Sequence, residues 1–234
     1  MTPSWLPVVV LATSSLVVPL IFALPEQAWR ARAALNLAAA VLKLLLVALL
    51  VQGFYQGVHF SFSFTVVPGV RFLLQVDALG LTFAGLSALL WLVTTVYAIG
   101  YLKDSPNNKR FFGFFSLCVA STAGIALAGN LFTFLIFYEL LTLSTYPLVA
   151  HHGHTRALDA GAVYLRYTLT GGLVLLLGVV ALHAMVGDIA FGQREVLAEL
   201  GPEAHLILGI LFVVLLAGLG VKAALVPLHG WLPR

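Results

Sequence analysis

The sequence predicts an all-α integral membrane protein of about seven transmembrane helices, with a broken seventh helix and a short outer-face hairpin between the second and third. Three observations carry that expectation. Of the 234 residues, 61% are hydrophobic and 9% charged, against about 25% charged in a soluble domain. The apolar residues fall into runs of roughly 20, the length that crosses a bilayer. Lysine and arginine gather in alternate loops, as they do on the two sides of a membrane. A chain this apolar cannot cover a water-facing surface. Seven crossings also leave no room for an extramembrane domain with chemistry of its own. The pI near 9.2 would suggest nucleic acid as the partner of a soluble protein. Here it reflects basic residues collected on one membrane side, so the lipid bilayer and not nucleic acid is the expected partner.

Hydropathy places the spans at 5–24, 31–52, 77–100, 110–128, 130–150, 159–184 and 204–228. The first lacks the basic segment and the small-residue cleavage site of a signal peptide, so it is read as a retained helix. Only Gly129-Asn130 separates the fourth from the fifth, which makes them antiparallel neighbours. Arg30, Arg32, Lys103, Lys109, Arg110, Arg156 and Arg234 fall on one side, and Arg71 and Arg194 on the other. That bias predicts a cell-membrane protein with its N-terminus outside and its C-terminus inside.

Residues 59–66 alternate: His59, Ser61, Ser63 and Thr65 face one way, Phe60, Phe62, Phe64 and Val66 the other. Pro68-Gly69 follows, a hairpin signal. The 185–203 loop, with Asp188, Arg194, Glu195, Glu199 and Glu203, reads as a solvated segment. The single cysteine, Cys118, excludes a disulfide framework and a cysteine-ligated cluster, and reads as a small buried hydrophobe. Gly171-Gly172 follows no strand, so it reads as a close-packing site between helices.

Four charges fall inside the predicted spans: Lys43, Glu139, Arg166 and Lys222. Each needs a reason, because burying a charge there is costly. Glu139 sits near the middle of the fifth helix, too short to reach water, and shares its face with Leu135, Thr142 and Tyr146. It reads as part of a proton path, or as an ion pair that only holds helices together. Lys222 precedes Pro227, which deprives the Ala223 carbonyl of its helical partner, and Gly218 and Gly220 loosen the helix on the other side. A broken helix with free carbonyls beside a charge is how transporters build ion sites. The alternative is a snorkelled or structural lysine. Glu139 and Lys222 lie at comparable depth and suit one another as a pair. Lys43 has no evident partner and is read as snorkelling to a headgroup. Arg166 reaches the inner interface or pairs with Asp159.

His151, His152 and His154 cluster where the fifth helix meets a loop. They read first as an interfacial surface and second as a proton antenna. Three histidines also suggest a metal, but no carboxylate or cysteine nearby completes a ligand set, so no metal is expected. His229 is placed at the inner exit, and His183 and His205 at outer helix ends. No two histidines face one another across the bilayer interior, which argues against a haem or quinone electron carrier.

Two stretches, Tyr138-Glu-Leu-Leu-Thr-Leu-Ser-Thr-Tyr-Pro-Leu-Val-Ala150 and Lys222-Ala-Ala-Leu-Val-Pro-Leu-His-Gly-Trp-Leu-Pro233, resemble the antiporter-like subunit family. That family includes complex I proton-pumping subunits, membrane hydrogenase subunits and Mrp-type cation/proton antiporters, and the first stretch looks most like the Mrp D-type subunit. The resemblance covers 100–234 well and the first three helices loosely. It implies inverted five-helix repeats, each forming half a proton channel, with a glutamate of the fifth helix tuning a lysine of the seventh. Glu139 and Lys222 match those positions. It also implies no redox cofactor and a place beside sister subunits in a larger complex. Family members are longer, so residues 1–100 are expected to form three N-terminal helices. Residues 101–234 then supply helices 4 to 7 of the first repeat, with its eighth helix and the second repeat absent.

The function expected from these readings is a proton-conducting or monovalent cation/proton antiporter subunit, with sodium among the candidate cations. Such a chain has no catalytic chemistry of its own, though it suits an NADH dehydrogenase-like or hydrogenase complex. The alternative is a non-transporting assembly subunit that keeps the motifs as structure.

Overall fold

The computed structural model describes residues 4–102, 107–151, 153–193, 195–198 and 200–232. Lys103, His152, Arg194, Glu199, Pro233 and Arg234 lie outside them. The chain is mostly helical and multi-pass. Six stretches are long and apolar enough to cross a membrane: Leu6–Ala23, Trp29–Tyr55, Ala78–Tyr101, Leu131–Val149, Thr155–Val186 and Pro202–Lys222. The seventh expected span falls short on apolarity and not on length. This is α5, Asn108–Ala126. Its serines and its first-turn Lys109 and Arg110 dilute its hydropathy. It also packs against all of α1, α2, α3, α4 and α6, so little of it needs to meet lipid.

The first span is two helices, α1 (Leu6–Ser15) and α2 (Val17–Ala23), meeting at Leu16. Pro19 explains the break, since it cannot donate to the carbonyl of Ser15 four residues back. α3, Trp29–Tyr55, has 27 residues, about 40 Å at the helical rise, and outruns its predicted span at both ends. Two strands follow, β1 (Ser61–Val67) and β2 (Val70–Gln75), antiparallel with an irregularity between Thr65 and Val67. Gly69 supplies the positive φ of the turn. Asp77 caps α4 (Ala78–Tyr101) by accepting from the Gly80 N–H. The buried side of α4 carries Gly80, Leu81, Ala84, Ala88, Trp91, Thr95 and Ala98. That is a helical stripe, and Leu79, Phe83, Leu86, Leu90 and Val93 are exposed on the other face, where lipid is the natural solvent.

α6 (Leu131–Val149), α7 (Thr155–Val186) and α9 (Pro202–Lys222) form the rest of the bundle, with α8 (Glu195–Ala198) a single turn between α7 and α9. α7 and α9 approach closely through glycines. A Cβ at Gly218 would fall 2.7 Å from the Leu175 nitrogen, and one at Gly171 2.8 Å from Val221 Cβ. The packing reading of Gly171 fits that contact. Without a hydrophobic effect between helices in lipid, such close backbone contact is a main source of association.

The hairpin is stitched to the bundle. Gln75 N–H donates to Leu127 O at 2.8 Å, and Gly129 N–H to Leu73 O at 2.8 Å. The α5–α6 turn thereby acts as a third strand. Leu73 N–H donates to Thr133 Oγ1 at 2.8 Å. Asn130, the N-cap of α6, accepts from Thr133 N–H, and its Nδ2 donates to Arg71 O and to Asp188 Oδ1, each at 2.8 Å. Arg71 Nε meets Asp188 Oδ2 at 2.7 Å. Asp188 is thus a partner of the hairpin and not a member of a solvated loop, because the clamp supplies three donors to its carboxylate.

This geometry predicts unequal losses. Asn130 is 1% exposed, so Asn130→Ala should cost about 2 kcal/mol by leaving several buried groups unpaired. Arg71 is 45% exposed, so Arg71→Ala should cost no more than about 1 kcal/mol. Thermal unfolding in detergent, followed by circular dichroism, checks the ranking.

Candidate functional site

Glu139 lies on α6, half-buried, with Leu135, Thr142 and Ser144 on buried positions of the same helix. Its carboxylate rests on the backbone of α7 at Gly172. A Cβ there would fall 2.7 Å from the Glu139 Cδ, so the second glycine of the pair makes room for a charge while the first packs helices. The Oε1 atom is buried and has no hydrogen-bond partner.

Lys222 is the last residue of α9. Its ammonium does not meet the Glu139 carboxylate. Among the described residues the ion pairs within 4.0 Å are Arg32–Glu26 and Arg71–Asp188. Lys222 Nζ instead donates to the backbone carbonyl of Tyr138 and lies 3.5 Å from the centre of the Tyr138 ring, a cation–π contact. The Tyr138 hydroxyl donates to Gly218 O at 3.3 Å, so one tyrosine grips the last turn of α9 at two points. Glu139 and Lys222 remain close enough for each charge to act on the other. Direct pairing was the expectation. Tyr138, adjacent to Glu139 in sequence, takes the place of the carboxylate as the contact. Sequence reasoning missed it, although it opens the quoted motif, because one residue step rotates a helix face by about 100°.

The helix break also sits elsewhere than expected. α9 stays regular through Gly218 and Gly220, which are buried, and stops at Lys222 instead of running to 228. Leu225 N–H donates to Gly220 O at 2.9 Å and Ala224 N–H to Val221 O at 3.1 Å. Those two bonds are a Schellman C-cap. Ala224 holds the left-handed position at φ 53°. Gly220 does not loosen the helix. A Cβ there would fall 3.1 Å from Leu225 Cδ1, so the missing side chain lets Leu225 fold back. Pro227 lies beyond the helix end, in turns covering 223–232, and does not kink a continuing helix. Trp231 ties these turns back: its Nε1 donates to Val221 O at 2.9 Å and its ring meets Tyr164 at 5.6 Å.

The secondary candidates disperse. His229 is exposed on the turns after α9. His154 is the N-cap of α7, its Nδ1 accepting from Ala157 N–H at 3.0 Å. His151 lies edge-on to Phe111 at 6.1 Å, and His152 is outside the described residues. Arg166 is exposed and makes no ion pair with Asp159. Cys118 is more than a buried hydrophobe. Its Sγ donates to Ser144 Oγ at 3.3 Å and lies 3.6 Å from Thr145 Oγ1.

Lys43 overturns its reading most clearly. It does not snorkel, since it is 0% exposed. Nζ donates to Ser14 Oγ at 2.8 Å and to Val119 O at 3.5 Å, and sits 5.5 Å from the centre of the Trp91 ring. The reason is lateral: α1, α4 and α5 surround α3 at that level, so the side chain has no lipid-facing path to a headgroup.

Residues 128–234 match the family described as NADH:quinone oxidoreductase/Mrp antiporter, TM. The chain is 36% identical over 163 residues to NADH-quinone oxidoreductase subunit N of Desulforudis audaxviator, covering 68% of this chain and 32% of that protein. It is 29% identical over 178 residues to a Rhizobium meliloti protein described as a probable K(+)/H(+) antiporter subunit, covering 75% and 18%. It is 31% identical over 182 residues to the putative antiporter subunit mnhA2 of Staphylococcus aureus, covering 73% and 22%. Among solved structures, a chain of the membrane-bound sulfane sulfur reductase, an archaeal respiratory membrane complex, superposes with a TM-score of 0.80 at 20% identity, covering 95% of this chain and 34% of that one. That likeness shows the fold. The chain spans about a third or less of the length of these proteins.

Three substitutions, one of them a control, test the packing of the site. Gly172→Ala should push the carboxylate off α7 and destabilise by about 1–3 kcal/mol, whereas Gly209→Ala, where a Cβ meets nothing within 4 Å, should not. Ala224→Gly should raise the unfolding temperature, since a left-handed alanine costs about 1 kcal/mol. Thermal unfolding of the three variants beside the parent decides both.

Proposed function

Because this chain belongs to the NADH:quinone oxidoreductase/Mrp antiporter family of membrane subunits, we propose that it is a proton-conducting or monovalent cation/proton antiporter subunit in which Lys222 carries the proton and Glu139 tunes it. One observation carries the reading. Lys222 Nζ is held by the Tyr138 carbonyl and ring, while a buried carboxylate oxygen of the next residue, Glu139 Oε1, has no hydrogen-bond partner. The ammonium therefore has two alternative acceptors on consecutive residues of α6. Resting on Tyr138, Lys222 is held by dipoles and a ring face. Turned toward Glu139, it gains a full opposite charge. A side-chain rotation at the end of α9 changes how strongly the protein favours the protonated amine, which is what a carrier needs in order to load and release.

The position of Lys222 at a helix terminus supports this role. The capped end leaves the lysine in the last turn of α9, beside the Tyr138 carbonyl and ring. Half-helix ends near charges are recurring parts of transporter sites. The partners proposed with this function are sister antiporter-like membrane subunits, the bilayer, protons and a monovalent cation such as sodium or potassium. The proposed setting is the cell membrane, with the N-terminus outside and the C-terminus inside, following the basic-residue bias.

The test uses the complete complex in sealed vesicles. Glu139→Gln keeps the shape and removes the charge, and Lys222→Ala removes the carrier. Each single change should abolish most proton flux while the complex stays assembled. The double change should be little worse than either alone, because residues acting as one unit are non-additive. Normal flux in an assembled Lys222→Ala complex would overturn the proposal.

A further inference from the structure

Lys43 stands apart from the site just described, and the mechanism above does not use it. It is fully buried, on α3, and Asn36 is also fully buried two turns nearer the Arg32 end of the same helix. The two levels have separate partners. Asn36 Nδ2 donates to Ser116 Oγ at 3.1 Å, and Thr95 Oγ1 donates to Asn36 Oδ1 at 3.2 Å. Lys43 meets Ser14, Val119 O and the Trp91 ring. Trp91 and Thr95 are one turn apart on α4, and Ser116 and Val119 one turn apart on α5. Polar groups therefore reach Lys43 from the Arg32 end of the bundle. Beyond Lys43 the interior turns apolar: Val47, Leu50, Val10, Leu74, Leu81 and Leu127 close it. The Arg32 side has apolar packing too, from Val17, Ile21, Ala39, Ala40 and Phe112, but it alone carries the buried amide and hydroxyls of Asn36, Thr95 and Ser116.

Among the described residues, the helices around Lys43 bring no counter-charge into contact with it. The helices packed on α3 are α1, α2, α4 and α5. α1, α2 and α4 contain no Asp, Glu, Lys, Arg or His. α5 contributes Lys109 and Arg110 in its first turn, and Cys118, whose thiol bonds α6. Glu26 lies at the far end of the column, 4.0 Å from Arg32. The groups that do touch Nζ suit either protonation state. The Trp91 face and the Val119 carbonyl favour an ammonium. The Ser14 hydroxyl accepts from an ammonium while donating to Leu11 O at 3.3 Å, and by rotating its O–H it donates to a neutral amine. Trp91 Nε1 is itself buried without a partner, so the pocket holds donor capacity beyond what its acceptors use.

We propose that Lys43 is a second proton-binding site of this chain, reached from the Arg32 end through the Asn36–Thr95–Ser116 level and closed on the opposite side by the apolar cluster around Val47 and Leu50. The step is a simple one: the ammonium gives one proton to a water on the polar side, and the Ser14 O–H turns to the amine lone pair that is left. No carboxylate shares the charge, so the site changes net charge each time it loads. That sets it apart from the Glu139–Lys222 region, on the other side of α5.

The probe is the Trp91 ring, which borders the ammonium. The full chain, labelled with 5-fluorotryptophan and held in lipid nanodiscs, carries 4 tryptophans, and a Trp91→Phe sample identifies the Trp91 fluorine resonance. That resonance should move with pH along a single-proton curve. The movement should vanish in Lys43→Met and persist in Cys118→Ser and in Glu139→Gln. A Trp91 resonance that stays still across the range in which the protein is folded, or that moves equally in Lys43→Met, overturns the proposal, as does its loss in Cys118→Ser. If Lys43→Met does not fold, Ser14→Ala decides: a displaced midpoint supports the site, and an unchanged midpoint overturns it. The reading is independent of proton flux, so its outcome and that of the Glu139 and Lys222 variants are separable.

Discussion

A charge carried into a bundle of apolar helices has to be met by the bundle itself, because no water stands ready to meet it. Much of this structure follows from that constraint. Lys222 is met by a tyrosine carbonyl and ring, Lys43 by a hydroxyl, a carbonyl and an indole, and Arg32 by the carbonyls of Pro25 and Glu26. In each case the partner is mainly a backbone or ring dipole. Dipoles stabilise a cation less tightly than a carboxylate does, and they do not lock it. The two lysines are thus held without being trapped. Glu139 Oε1 and Arg32 Nε are each buried without a hydrogen-bond partner, so these two charges are met least completely.

Helix packing serves the same end. α7 and α9 approach through Gly171, Gly178 and Gly218, and that closeness brings the end of α9 within reach of Tyr138. Larger residues at those positions would hold α9 off and leave Lys222 without its acceptor. At the hairpin end, β2, the α5–α6 turn and Asp188 form one hydrogen-bonded unit. It fixes the start of α6, and with it the register of Tyr138 and Glu139 two turns further along. The hairpin is in this respect a fastening for the helix that bears the site.

Most of the helices were legible because apolar runs of bilayer length carry a strong and redundant signal. Glu139 and Lys222 stood out for the complementary reason, as rare charges inside such runs. What stayed hidden depends on which way a side chain points and on what another helix brings to it. Lys43 reads as a snorkelling lysine until α1, α4 and α5 are seen to surround it. The break after Lys222 reads as a proline effect, but the bonds that make it belong to Ala224 and Leu225. Nothing in a lone alanine announces a left-handed cap. Tyr138 was in plain view and had no distinguishing feature beyond its neighbour. α5 was expected as an ordinary span. Its polar residues make sense only once its position among five other helices is known.

The contrast between the two lysines bears on how such a protein moves charge. In the proposed function Lys222 has a carboxylate within electrostatic reach, so a shift of its position would alter the balance between its two acceptors, and movement would do work on the proton. Lys43 has no carboxylate in contact, and its partners serve the amine in either state. As proposed, such a group would follow the proton supply on its own side without needing the helices to move. A bundle containing both would hold one site that responds to conformation and one that responds to occupancy, separated by α5. The thiol and hydroxyls of Cys118, Ser144 and Thr145 join α5 to α6 on the α6 side of that divide. Ser144 and Thr145 also donate back to Leu141 O within α6, so the Cys118 contacts are the ones that cross from α5, and through them a change of charge on one side of α5 would be felt as packing on the other.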